Sequence, residues 1–303
     1  MALQPRSQVP ASLPGGSTTD PPYGPLALSG MSNPFFYHQF QDDFDNLLGP
    51  SGAYTITASG GSVVHSAGDG GLALFTTGAV AGNFAQAQLP AASFTLPLTG
   101  ATPPGTANSS KKLFYLARVQ LADVTLSSFI AGLCNTGTTL ITGAGGTQNV
   151  TDGLFFYKAP SSTTLQLLNV GSVANSPSGS AFTNTFTIPA AAVTLTNAVS
   201  FDFGFSIDAN QNLRVYVGSQ LVGWIPQSGF GSVNAAGVPI LPSLGPVLAN
   251  YNFLPQATGL AGSTATPILY STANLNITLA VCNGATAAAK TMTADFHTAQ
   301  KER

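Results

Sequence analysis

The sequence predicts an all-β protein, an antiparallel β-sandwich preceded by an extended N-terminal arm. Three observations predict it. Short segments alternate apolar and polar residues, Gly, Pro, Asn and Ser turns separate them, and helical periodicity is almost absent. The turn formers are abundant, with 33 Gly and 21 Pro in 303 residues. Only 7% of the side chains are charged, where a soluble domain usually has about 25%.

Seven of the 21 prolines fall between Met1 and Pro34, among Ser, Gly and Thr and beside only two charges, Arg6 and Asp20. Such a composition forms no core, and proline holds the chain near polyproline II, so a segment of this length reaches on the order of 100 Å. Residues 1–33 are therefore read as an arm. Its apolar side chains, Leu13, Tyr23, Leu26, Leu28 and Met31, are the candidate partner-binding residues. A tail without a partner is the alternative.

Residues 34–303 are read as the β domain. Its clearest strand runs from Ser200 to Asp208: Phe201, Phe203, Phe205 and Ile207 fall on one face, and Ser200, Asp202, Gly204, Ser206 and Asp208 on the other. Burying those four apolar side chains stabilises by about 1.5–3 kcal/mol each, and a one-residue slip would expose them all. The turn Ala209–Asn212, the segment Leu213–Val217, the Gly218-Ser219 turn and Gln220–Ile225 complete a three-stranded meander. Further strands are expected at Ala53–Thr57, Leu72–Thr77, Lys112–Leu121, Ser127–Leu133, Gly153–Lys158, Thr164–Val170, Ala181–Ile188, Asn274–Val281 and Thr291–Thr298. The Ala-rich stretch Ala285–Lys290 is the best helix candidate, though too short to stand alone. Pro97–Asn108 and a possible insertion at about 229–262 read as long connections.

Charge and hydropathy exclude whole classes of function. A net charge of −2 and no Lys/Arg cluster beyond Lys111-Lys112 argue against nucleic acid as a partner. Mean hydropathy is +0.24, yet the apolar runs are far shorter than the roughly 20 residues of a membrane helix, so no membrane partner is expected. The N-terminal residues lack the basic and apolar regions of a secretory signal. Cys134 and Cys282, far apart and in apolar surroundings, read as buried thiols rather than a disulfide.

No catalytic residues are expected. Glycoside hydrolysis uses two carboxyl groups flanking the scissile bond, and the only glutamate is Glu302. The one acidic cluster is Asp42, Asp43 and Asp45. Solvated charges closing the first strand are its first reading, with Asp43 and Asp45 as weak candidates for a hard cation. His38, His65 and His297 occur singly, without metal-ligand spacing, so no cofactor is expected. Trp224, the only tryptophan, reads as core or interface packing before it reads as a sugar platform.

The opening Asp42-Asp43-Phe44, the segment Phe201–Asp208 with Arg214-Val-Tyr-Val217 after it, and the closing Thr293–His297 before Gln300–Arg303 resemble concanavalin A-like jelly-roll domains of tailed-bacteriophage structural proteins. The resemblance implies a jelly roll whose first and last strands lie near one another. It also implies a non-enzymatic virion protein on the capsid surface, assembled in the host cytoplasm. The expected role is capsid decoration or cementing, with the major capsid protein and further copies of the chain as partners. A surface of Ser, Thr, Asn and Gly costs little to desolvate on docking. The alternative is a tail-fibre or head-fibre module that binds host-surface glycan.

Overall fold

The computed structural model describes residues 37–42, 44, 54–66, 71–89, 94–96, 111–176, 179–188, 190, 193–208, 212–218, 220–225, 270–285 and 287–302. Residues 1–33, Pro97–Asn108 and 229–262 lie outside the described residues, as do Asp43 and Asp45.

The strands are β1 (Tyr37–Asp42), β2 (Thr55–Ala58), β3 (Ser62–Ser66), β4 (Leu72–Thr76), β5 (Phe84–Gln88), β6 (Phe94–Thr95), β7 (Leu113–Leu121), β8 (Ser128–Cys134) and β9 (Ile141–Thr142). They continue with β10 (Thr147–Gln148), β11 (Gly153–Lys158), β12 (Gln166–Gly171), β13 (Phe182–Thr187), β14 (Ser200–Ile207), β15 (Leu213–Val217), β16 (Gln220–Ile225), β17 (Asn274–Cys282) and β18 (Thr291–Glu302). They form an antiparallel jelly-roll sandwich. The first sheet runs β16-β15-β14-β7-β18-β4-β3, with β1 beside β18, and the second runs β13-β12-β11-β8-β17-β5-β2, with β6 beside β17. First and last strands pair directly: Tyr37 lies opposite Glu302, and Asp42 opposite His297.

Alternation decides which side chains enter the core. Along β7, Leu113, Tyr115, Ala117, Val119 and Leu121 point between the sheets, and along β8, Phe129, Ala131 and Leu133 meet them. In β14, Phe203, Phe205 and Ile207 are fully buried, while Phe201 is partly buried against the same core. Phe203 packs edge-on against Phe156 of the facing sheet at 4.6 Å between ring centroids. At one margin the sheets meet through Gly223 of β16, where a Cβ would come within 2.4 Å of the Phe186 ring of β13. Both cysteines are buried and free.

Several sequence expectations are corrected. Ala285–Lys290 contains no helix among its described residues, which run as turn, bend and irregular chain. Six residues are too few to nucleate a helix against a connection the Asn283 amide holds by donating to Gly78, Val80 and Ala288 carbonyls. The last strand does not stop at Thr298 but runs to Glu302, because β1 and β7 flank it on both sides and hydrogen-bond its polar end. Lys301 is accommodated at the rim by donating to the backbone carbonyl and the hydroxyl of Thr95, across the sandwich. Finally β3, β6, β9, β10 and β5, Phe-Ala-Gln-Ala-Gln, are additional to the expected strands, and β5 is the most instructive. Ala and Gln carry little strand propensity, yet all five residues are buried between β17 and β2.

The outer face of the second sheet carries its own apolar layer. Phe84, Ile130, Cys134, Phe155, Leu168 and Val170 pack beneath Leu140, Ile141 and Val150 of the 135–150 connection. Gln86 and Gln88 hold that connection down. Gln86 donates to the Gly137 carbonyl at 2.6 Å and accepts from the Leu140 amide at 3.1 Å. Gln88 donates to the Asn135 carbonyl and accepts from the Gly137 amide at 3.1 Å. The two side-chain amides thus do for an irregular loop what a neighbouring strand does for a ladder.

Candidate functional site

The outer face of the first sheet differs at the end where β14 begins. In the register of β14 with β7, Asp202 lies opposite Arg118, and in the register of β7 with β18, Arg118 lies opposite Phe296. A bulge between Ala294 and Phe296 inserts Asp295 into β18. A bulge sets two residues against one, so Asp295 and Phe296 both reach Arg118.

Arg118 Nε donates to Asp202 Oδ1 at 2.5 Å, Nη2 to Asp202 Oδ2 at 3.0 Å, and Nη1 to Asp295 Oδ2 at 3.1 Å. Its guanidinium also sits 5.4 Å from the centroid of the Phe296 ring. The bonds to Asp202, then the nearby carboxylate charges, hold the guanidinium above its ordinary pKa even though burial pulls the other way. The triad is only partly covered: side-chain exposure is 38% for Arg118, 16% for Asp202 and 31% for Asp295.

These three residues border a cleft of about 550 Å³. Ser200 and Phe201 of β14, Val217 of β15 and Gln220 of β16 line it as well, and Gly218 turns the chain between the last two. Gly218 has φ of 60°, and its amide donates to the Asp202 carbonyl at 2.8 Å, so the turn and the acidic residue are tied together. The cleft therefore offers carboxylate oxygens, a guanidinium edge, a hydroxyl and a side-chain amide on one sheet face, while the Phe201 ring turns inward onto Phe129 and Phe203.

Other polar groups serve the scaffold. Asp152 accepts from Ser172 N and Oγ, from Ser271 Oγ at 2.6 Å and from Asn175 Nδ2, and so joins β11, β12 and the approach to β17. Burial pushes its pKa up, but the bonds from Ser271, Ser172 and Asn175 outweigh that and leave it lowered. Lys158 is fully buried and donates to the Ser127 and Ala159 carbonyls; burial lowers its pKa to about 8, against a smaller opposing effect of Asp123. His297 is fully buried among Phe40, Phe44 and Tyr54, with Nε2 joined to Tyr54 Oη at 2.5 Å, and burial lowers its pKa to about 3.

The residues singled out in the sequence are distributed otherwise. Leu13, Tyr23, Leu26, Leu28, Met31, Asp43 and Asp45 lie outside the described residues. Trp224 is in β16, opposite Arg214. Phe201 is the one core-strand candidate that borders the cleft. Among the described residues no group of three or more His, Cys, Asp or Glu is placed to hold a metal ion. Sequence reasoning missed Arg118 and Asp295 and noted Asp202 only as part of a polar face. A usable signal was present, because in a chain with so few charges a charged residue in the middle of an apolar strand, as in Leu116-Ala-Arg118-Val119, marks a position with a partner.

No family model and no curated protein matches the chain. Among solved structures, it is similar to a protein of unknown function from Shewanella oneidensis MR-1, at 11% identity and a TM-score of 0.48, over 93% of this chain and 94% of that one. It is also similar to the CBM2 module of an evolved Dit from Lactobacillus casei BL23 phage J-1, at 10% identity and a TM-score of 0.42, over 88% and 96%. Peanut lectin is similar at 10% identity and a TM-score of 0.41, over 88% and 97%. At these identities and scores nothing about ligand or role carries over to this chain.

Proposed function

We propose that this protein is a non-enzymatic binding module, and that the cleft around Arg118 takes a sugar of a surface glycan. The observation that carries this reading is the triad itself. Arg118, Asp202 and Asp295 hold one another in fixed geometry and stay partly open to solvent where they border the cleft. Polyhydroxylated ligands are recognised by such pre-positioned donors and acceptors, because little ordering remains to be done on binding. Both carboxylates act as acceptors for the same guanidinium, an arrangement suited to orienting hydroxyls rather than to delivering a proton to a leaving group. A glycan array probed with the full-length protein tests this. Binding to a defined set of glycans, lost in Asp202→Ala with the thermal transition retained, is the expected result; a blank array overturns it.

A second reading places the protein on a virion as a capsid decoration protein, and the observation that favours it is the low charge together with the proline-rich residues 1–33, which lead towards β1. Here the major capsid protein and further copies of the chain are the partners. Co-sedimentation with undecorated capsids, with and without residues 1–33, tests it. Attachment that requires the arm supports this reading, and equal attachment of both forms removes the arm from it.

A further inference from the structure

Resting on the glycan reading, we infer that the cleft selects sugars bearing a protonated amine and turns away acidic sugars. Its charges are one guanidinium and two carboxylates, and no second cation borders it among the described residues. The charge of the guanidinium is already offset by two carboxylates. Three of its nitrogens donate to Asp202 and Asp295, and its face lies towards Phe296. An incoming carboxylate would find one remaining N–H on each of Nη1 and Nη2, and would meet two like charges. The carboxylates keep acceptor capacity. An ionised carboxylate offers about four lone-pair positions, and Asp295 receives a single bond from Arg118 while remaining the more open of the two. The cleft thus has acceptors in excess and one net negative charge, which suits a ligand that brings N–H and O–H donors with positive charge. Ser200 and Gln220 add neutral partners for the remaining hydroxyls.

The position of Asp295 strengthens the case. Without the bulge, β18 would set one residue against Arg118, and the bulge adds a carboxylate there. Charge-assisted hydrogen bonds are roughly twice as strong as neutral ones, so an ammonium at Asp295 discriminates between otherwise identical sugars.

The test compares matched chito-oligosaccharides, fully N-acetylated and fully de-N-acetylated, with oligogalacturonate as the acidic control, by calorimetry on the full-length protein at mildly acidic pH. The de-N-acetylated oligomer is expected to bind about tenfold more tightly than the acetylated one, and oligogalacturonate to show no binding. Asp295→Asn and Asp295→Ser are expected to bring the ratio close to one. In the unaltered protein, raising the salt to about 0.3 M should shrink the ratio, because a partly exposed charge pair is screened. Equal affinity for the two oligomers, or a ratio unchanged in both variants, overturns the selectivity and leaves the glycan reading standing. Tighter binding of oligogalacturonate overturns it as well. No binding of any oligosaccharide here, together with a blank glycan array, overturns both.

Discussion

The central strands β7 and β8 occupy equivalent places, each fourth along its sheet, yet their outward faces part at one end: outward Phe114 and Leu116 of β7 are buried as Ile130 of β8 is, but Arg118 is not. On β8 the outward Ile130 and Cys134 are fully buried in a second apolar layer, closed by the 135–150 connection and held by Gln86 and Gln88. On β7 the outward Arg118 is partly exposed, paired with two carboxylates and bordering a cleft. The same alternation produces both faces, since in each strand every second residue points away from the core. A loop with satisfied backbone groups turns one outer face into core, whereas charges that pair among themselves leave the end of the other available to a ligand.

Breaking the covered face should have the largest effect. Ile130→Asp places a carboxylate without a partner in the second apolar layer and is expected to leave the chain insoluble or molten, a loss of more than about 4 kcal/mol, read by near-ultraviolet circular dichroism and thermal unfolding. Normal unfolding of that variant would mean that the 135–150 connection does not seal the face. Acid is the next largest perturbation. His297 has a native pKa of about 3, below its ordinary value of about 6.5, so within that window the unfolded chain binds a proton that the native chain does not. Stability is therefore expected to fall as the pH is lowered from about 6.5 towards 3, by on the order of several kcal/mol. His297 lies inside the sandwich and on neither outer face, so denaturant midpoints measured against pH should show the same decline in variants of either face. A decline that differs between them would place the acid-sensitive group elsewhere.

Gln86→Ala sharpens the comparison further. It strips the Leu140 amide and the Gly137 carbonyl of their partner and should cost about 1–3 kcal/mol, with amide exchange accelerated in 135–150 more than in β14. Uniform acceleration would show that the loop and the first sheet open together. The smallest effect on stability is expected from Arg118→Met. Its ion pairs are partly exposed and screened, so the loss should stay within about 1 kcal/mol, while glycan affinity falls by at least about tenfold. A large loss of stability with unchanged affinity would assign the triad to the scaffold.

Much of the sandwich was legible in the residues. The meander β14-β15-β16 reads directly from the chain, because its strands are neighbours in sequence, its turns are short and its apolar period is two. Phe203, Phe205 and Ile207 owe their burial to that same local period. The strand β5 did not read, since its Ala and Gln residues become core and clamp only when β17, β2 and the 135–150 connection are beside them. Arg118 and Asp295 did not read as a pair either, being separated by 177 positions.

By itself the sequence determined the all-β character, the faces of the regular strands and the scarcity of charge, all of which follow from composition and from contacts between near neighbours. Tertiary structure alone decided which strands lie side by side, which outer face is sealed, and where the few charges meet. The physical reason is that ladder order and a single inserted residue in β18 depend on pairings distant in the chain, and such pairings leave no periodic trace in either segment.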